Sequence, residues 1–126
     1  MRIFKAKGFV RFQRRERIAD QALIASIGRL NDGLIDADLG SGLVKQRVAR
    51  TGQGKSGGFR TVIAYRRGDR AVFLFGFAKN DIDSIDDHEL HIFKRRAQAL
   101  LAMNGVQLSE LIATGDLTEI ENEEDG

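Results

Sequence analysis

The residues of this chain best suited to chemistry are cations, some spaced two apart and others gathered round glycines. Lys45 and Arg47 stand at alternate positions of Leu43–Ala49, so a strand there projects both from one face and Val44, Gln46 and Val48 from the other. Thr51-Gly52-Gln53-Gly54-Lys55-Ser56-Gly57-Gly58 follows, and Arg60 lies just beyond it, in a second strand-like run from Phe59 to Tyr65. If the two runs pair antiparallel across the glycine-rich connection, Arg60 approaches Lys45 and Arg47. Lys55 then sits on the adjoining loop, and Lys79, closing a third run, comes within reach. Cations converging with few carboxylates repel one another unless an anion lies among them, so the chemistry this pattern serves is that of phosphate. The plainer alternative is a solvated basic face. Gly54-Lys55-Ser56 is also how a Walker A loop ends, but that motif needs glycine at 49, where the chain has Ala49. Such a loop also opens a helix, whereas Phe59 opens a strand, so an NTPase is not expected.

Composition removes other chemistries. The chain has no cysteine, which excludes disulfides, thiol nucleophiles and Cys-ligated metal, and His88 and His91 are its only histidines, too few for a His-rich metal site. No cofactor or metal is expected. At 126 residues and 42% hydrophobic, the chain suits one packed core. No stretch approaches the roughly 18 apolar residues of a membrane span, and Arg2, Lys5 and Lys7 stand where a signal peptide would be apolar. A cytoplasmic protein without a membrane partner is therefore expected. The net charge of +2 hides an asymmetry: residues 1–79 carry +11 and residues 80–126 carry −9. The first part is thus suited to a polyanion such as nucleic acid, unless the two parts neutralise each other in the fold.

The elements that position the cations can be read from periodicity. Arg2–Lys5 reads as a short strand, and Phe9, Val10 and Phe12 among arginines as a basic amphipathic helix ending near Arg17. Asp20 is expected to cap a second helix carrying Leu23, Ile24, Ile27 and Leu30, stopped at Asn31-Asp32-Gly33. Leu34–Gly42 reads as a turn-rich connection. The strands Leu43–Ala49, Phe59–Tyr65 and Ala71–Ala78 follow, the last two joined as a hairpin by Arg67-Gly68-Asp69-Arg70, and the nearly all-apolar third is expected to be central. Asp86-Asp87 start a helix bearing Leu90, Phe93, Ala97, Leu100 and Leu101, which ends at Asn104-Gly105. Gln107–Ala113 suits a further short helix and Leu117–Ile120 a small strand. The expected class is α+β: an antiparallel sheet of about four strands with two N-terminal helices and a C-terminal helix packed on it. Residues 1–120 read as one domain, and 121–126 as an acidic tail expected to be disordered.

Val44-Lys45-Gln46-Arg47, Gly52-x-Gly54-Lys55-Ser56-Gly57-Gly58-Phe59-Arg60 and Gly76-Phe77-Ala78-Lys79-Asn80 together resemble the RelE/HigB-type toxins of bacterial type II toxin–antitoxin systems, within the RelE/ParE superfamily. The resemblance in element order covers roughly residues 1–100, and the glycine-rich loop followed by arginine is its most specific part. It implies a RelE-like fold and a metal-independent mRNA endoribonuclease, usually acting in the ribosomal A site. The ribose 2′-OH would attack the adjacent phosphate, leaving a 2′,3′-cyclic phosphate and a 5′-OH. It also implies a cognate antitoxin, of helix-turn-helix type, as partner beside mRNA and the ribosome. By position in the motif, Lys45, Arg47, Arg60 and Lys79 match the family's catalytic cations, and Lys55, Ser56, Gly57 and Asn80 would contact RNA.

The chain departs from that pattern where relatives carry a tyrosine, or histidines and acids, after the last basic residue. Here Ile82 and Ile85 intervene before His88 and His91. His88 at a helix start is the candidate acid or base, Lys45 beside other cations is a second candidate base, and Tyr65 belongs to the core or sheet surface. The missing tyrosine keeps open a non-catalytic toxin like the ParE branch, which binds DNA gyrase.

Overall fold

The computed structural model describes residues 1–49, 58–77 and 85–121. The chain runs β1 (Arg2–Ala6), α1 (Lys7–Glu16), α2 (Asp20–Asn31), β2 (Ala37–Gly40), β3 (Leu43–Val48), β4 (Phe59–Arg66), β5 (Arg70–Phe77), α3 (Asp87–Ala102), α4 (Gly105–Thr114) and β6 (Leu117–Ile120). The strands form one six-stranded sheet in the order β2-β3-β4-β5-β1-β6. Strand alternation divides the apolar side chains between its two faces. On one face, Phe9 and Phe12 of α1 and Leu23, Ile27 and Leu30 of α2 pack against Val44, Val48, Phe59, Ile63 and Phe73. On the other, Phe93, Ala97, Leu100 and Leu101 of α3 and Leu108 of α4 pack against Leu43, Val62, Ala64, Val72 and Leu74. β5 lies between β4 and β1 with helices over both faces, which accounts for its apolar sequence.

The α+β class and the helix positions agree with expectation, and the sheet is larger and mixed rather than four-stranded and antiparallel. β1 inserts parallel to β5 and antiparallel to β6. Period-two alternation reports which face a residue takes and is silent on strand direction, so the parallel pairing left no local signal. The stretch read as a connection contains β2. Its glycines belong to the tight turn into β3, where Gly40, Ser41 and Gly42 all have positive φ (90°, 60° and 80°). Gly42 also admits Leu101, since a Cβ there would lie 2.4 Å from the leucine Cδ1.

Asp20 is the first residue of α2 rather than its cap, which is Ala19. Its carboxylate is drawn inward instead, accepting from Gln13 Nε2 at 2.6 Å and from Lys5 Nζ at 3.0 Å. Lys5 is buried on β1, so this contact, with Gln13 Oε1 at 3.0 Å, ties the strand to both N-terminal helices. Burial pushes the Asp20 carboxyl upward, but the Gln13 and Lys5 hydrogen bonds and the lysine charge outweigh it, leaving it below the usual carboxylate value. At the far end of the sheet, α3 has no basic residue in its last turn. The β4–β5 hairpin supplies the cations: Arg70 Nη1 donates to Leu100 O and Met103 O (3.0 and 2.7 Å), and Arg66 Nη2 to Leu101 O (2.6 Å).

Two stability outcomes follow from this packing. A Cβ on Gly76 would lie 2.3 Å from the Phe12 ring. Gly76→Ala should therefore lower stability by about 1–3 kcal/mol through overpacking, read as a lower urea midpoint at unchanged m-value. A carboxyl held low in the folded state contributes stability above its unfolded pKa and loses it as pH falls through the folded one. Asp20→Asn should thus reduce stability at neutral pH and flatten its decline below about pH 4, as urea titrations across pH would show.

Candidate active site

β3 and β4 pair antiparallel in a register that sets Arg47 opposite Arg60 and Lys45 opposite Val62. Directly opposed residues share a face, with Cβ atoms about 5 Å apart. Because Val62 packs into the α3 side of the sheet, Lys45, Arg47 and Arg60 all stand on that side, at the end away from the β4–β5 hairpin. Like charges directly opposed across a ladder are unfavourable, so the arrangement needs support from elsewhere.

Much of that support lies on and beside β3. The Arg47 backbone N–H donates to Asp36 Oδ2 at 2.6 Å, and its carbonyl accepts from the Arg29 guanidinium of α2. Between the flanking cations, Gln46 points to the opposite face and is fully buried. Its amide donates to Leu34 O at 3.0 Å and accepts from the Asp36 N–H at 3.0 Å, while Thr61 Oγ1 donates to Gln46 O at 2.8 Å. Gly58 leaves room for the Arg47 stem, since a Cβ there would lie 2.9 Å from Val48 O and 3.1 Å from Arg47 Cγ.

Arg60 is less well satisfied. Its Nη1 is buried and has no hydrogen-bond partner. A buried donor left unpaired costs about 1–3 kcal/mol, more when charged. Among the described residues, the ion pairs of the sheet join Arg2 to Glu119, Lys5 to Asp20, and Arg66 and Arg70 to Asp69. The unpaired Arg60 nitrogen is a charged donor to which an anionic acceptor would be complementary.

Other candidates are placed differently. His88 is exposed in the first turn of α3, and the helix turns its buried stripe of Phe93, Ala97, Leu100 and Leu101 toward the sheet instead. Tyr65 lies on the α2 side of the sheet, where its hydroxyl donates to Asn31 Oδ1 at 2.6 Å. Burial raises its pKa, partly opposed by Arg67. Lys55, Ser56, Gly57, Lys79 and Asn80 lie outside the described residues. Among the described residues there is no group of three or more His, Asp or Glu placed to hold a metal ion, and no helix long and apolar enough to cross a membrane.

Two aromatic residues join this face that periodicity does not reveal. β5 carries one residue more than β4 at this point: Val62 pairs with Phe75 but Ile63 pairs with Phe73. Strict alternation would keep Phe73, Phe75 and Phe77 together. The bulge at Leu74 leaves Phe73 on the α1 side, stacked 5.0 Å from Phe9, and moves Phe75 and Phe77 to the face of Arg60. Phe77 then stands opposite Arg60, completing a row Arg47–Arg60–Phe77 beside a row Lys45–Val62–Phe75.

A mixed six-stranded sheet with helices on both faces is compatible with a RelE-like α+β fold. The family model described as the RelE toxin of the RelE/RelB toxin–antitoxin system matches residues 1–120, and the chain belongs to that family. It is a toxin of a toxin–antitoxin system, and the family implies an antitoxin as its partner. A search of curated proteins finds no match to it.

The unpaired Arg60 Nη1 yields a stability outcome. Arg60→Met should raise the thermal midpoint in chloride, since it removes a buried unsatisfied donor worth about 1–3 kcal/mol. It should also abolish the extra stabilisation that the unaltered chain gains from tripolyphosphate at equal ionic strength. Differential scanning calorimetry in the two salts checks both.

Proposed function

We propose that the chain is an mRNA endoribonuclease acting without a metal ion, associated with the ribosome and held inactive by its antitoxin. The observation that carries this reading is the buried, unpaired Nη1 of Arg60 on the same sheet face as Arg47 and Lys45. Cleavage by the neighbouring 2′-OH forms the 2′-O–P bond and breaks the P–O5′ bond. The phosphate passes through a five-coordinate state with one more negative charge than the diester. Donors fixed where that charge develops stabilise it more than they stabilise the substrate. Arg60 takes that role with Arg47 beside it, the fork of a guanidinium spanning two phosphate oxygens. Lys45, in the adjoining row, is the candidate to receive the 2′-OH proton in its neutral form, and the leaving 5′-oxygen takes a proton in turn. The motif resemblance adds Lys79 to the cations, and Lys55, Ser56, Gly57 and Asn80 to the RNA contacts. His88, exposed on α3, is assigned no step.

An antitoxin that laid acidic or apolar segments over this face would block polyanion binding directly. Its helix-turn-helix type is part of the same proposal, taken from the resemblance, and so is a cytoplasmic setting.

Expression of the free chain should arrest growth and leave 5′-OH ends on mRNA cut within translated codons. Arg60→Ala should reduce cleavage roughly a hundredfold or more, and Arg60→Lys should restore little of it. His88→Ala should cleave as the unaltered chain does. Mapping 5′-OH ends across the transcriptome reads all three. Growth arrest with intact mRNA and altered supercoiling would replace the nuclease with a gyrase-binding toxin.

A further inference from the structure

Phe75 is the exception on β5. Its strand neighbours Phe73 and Leu74 are at most 1% exposed and Phe77 is 5% exposed, whereas Phe75 is 40% exposed. The ring is braced from two sides, with its centroid 5.3 Å from that of Phe77 and 5.4 Å from that of Phe93 on α3. It therefore combines a fixed position with an open aromatic surface. The bulge at Leu74 is what brings it to the cationic face, and bulges beside functional sites commonly re-aim a side chain in this way. Strands lie about 4.8 Å apart, so Phe75 stands two strand spacings from Lys45 in the same row and one row over from Arg60 and Arg47.

We propose that Phe75 is a stacking platform for a nucleobase of the RNA substrate, next to the phosphate held by Arg60 and Arg47. The inference rests on the ribonuclease reading and names a contact that reading does not contain. An exposed apolar ring among cations suits a ligand that presents a flat aromatic surface and a negative charge within one nucleotide's reach, which single-stranded RNA does at every residue. Stacking tolerates any base, because every base has a π-face, so Phe75 would add affinity and position the strand without dictating sequence. Braced by Phe77 and Phe93, the ring loses little freedom when a base settles on it, and the phosphate is held in register with the arginine row.

The chain contains no tryptophan, so Phe75→Trp creates a single fluorescent reporter at this position. The probe is a short 2′-O-methyl RNA, which lacks the attacking hydroxyl and stays intact. Its binding should quench the tryptophan. Inorganic polyphosphate and an abasic oligomer of the same length should bind the cations and leave the fluorescence unchanged. Phe75→Leu, which keeps the apolar packing, should weaken binding of the 2′-O-methyl RNA roughly tenfold or more with the salt dependence unaltered. Phe75→Tyr should bind as the unaltered chain does. Arg60→Gln should instead lower the slope of affinity against salt, as loss of a phosphate contact does. If Phe75→Leu binds RNA normally while Arg60→Gln loses affinity, the platform is wrong and the ribonuclease reading stands. If Phe75→Leu weakens only the antitoxin complex, the ring serves that partner and the inference is overturned. If the unaltered chain fails to bind RNA at all, the ribonuclease reading falls and the platform with it.

Discussion

One extra residue in β5, at Leu74, determines how the middle of this sheet is used. On the hairpin side of the bulge, β4 and β5 deliver Ile63 and Phe73 to the α1–α2 core, and Val72 and Ala64 to the α3 core. Beyond it, Gly76 turns toward α1, where it admits the Phe12 ring, and Phe75 and Phe77 turn toward Arg60. Without the shift, a phenylalanine would stand in place of that glycine under α1, against Phe12. The packing of α1 and the composition of the cationic face thus depend on the same backbone irregularity. That coupling gives the bulge a structural reason to persist even though it interrupts the ladder.

The distribution of cations along the sheet follows a related division. At the hairpin end, Arg66 and Arg70 are used for structure, reaching Asp69 and the terminal carbonyls of α3. On the α1–α2 side, Lys5 is buried against Asp20 and Gln13. Arg2 meets Glu119 across β1 and β6, so the acidic C-terminal part does neutralise some of the basic N-terminal part. The Arg60 end of β3 and β4 is handled differently. There the buried amide of Gln46 and the carboxylate of Asp36 hold the β3 backbone, while Arg60 keeps an unpaired nitrogen. Among the described residues, mutual neutralisation of the two parts of the chain accounts for Arg2 and supplies no partner for Arg60 Nη1.

Much of this was legible in the residues. Lys45 and Arg47, two apart, had to share a face once Val44 and Val48 claimed the core, and antiparallel pairing then brought Arg60 to the same side. The helices declared themselves through their apolar spacing, and the Gly68 hairpin through its turn residues. What stayed hidden had non-local causes. The parallel pairing of β1 with β5 joins residues far apart in sequence, such as Phe4 and Val72. Asp20 looked like a cap because nothing nearby announced the buried Lys5 that recruits it. Phe73, Phe75 and Phe77 alternate, and alternation ordinarily means one face, so the bulge that separates them could be seen only with β4 alongside.

The placement of α3 is fixed from the hairpin end of the sheet. Its C-terminal end is fixed at the hairpin by Arg66 and Arg70, and Leu101 fills the space that Gly42 leaves open. From there it runs over Ala64 and Val62 to Phe93 on Phe75, and Leu90 and Ile85 pack against the same core nearer its N-terminus. Apolar burial on this face thus extends to Phe77, which stands beside Arg60 in the Arg47–Arg60–Phe77 row. A cation beside such packing interacts more strongly with any charged partner, since charge interactions strengthen as water is excluded. Phe93 both closes the α3 core and braces the exposed ring of Phe75 beside the arginines. The hydrophobic packing that folds the α3 side of the sheet is in this way the same packing that fixes the geometry of its charged edge.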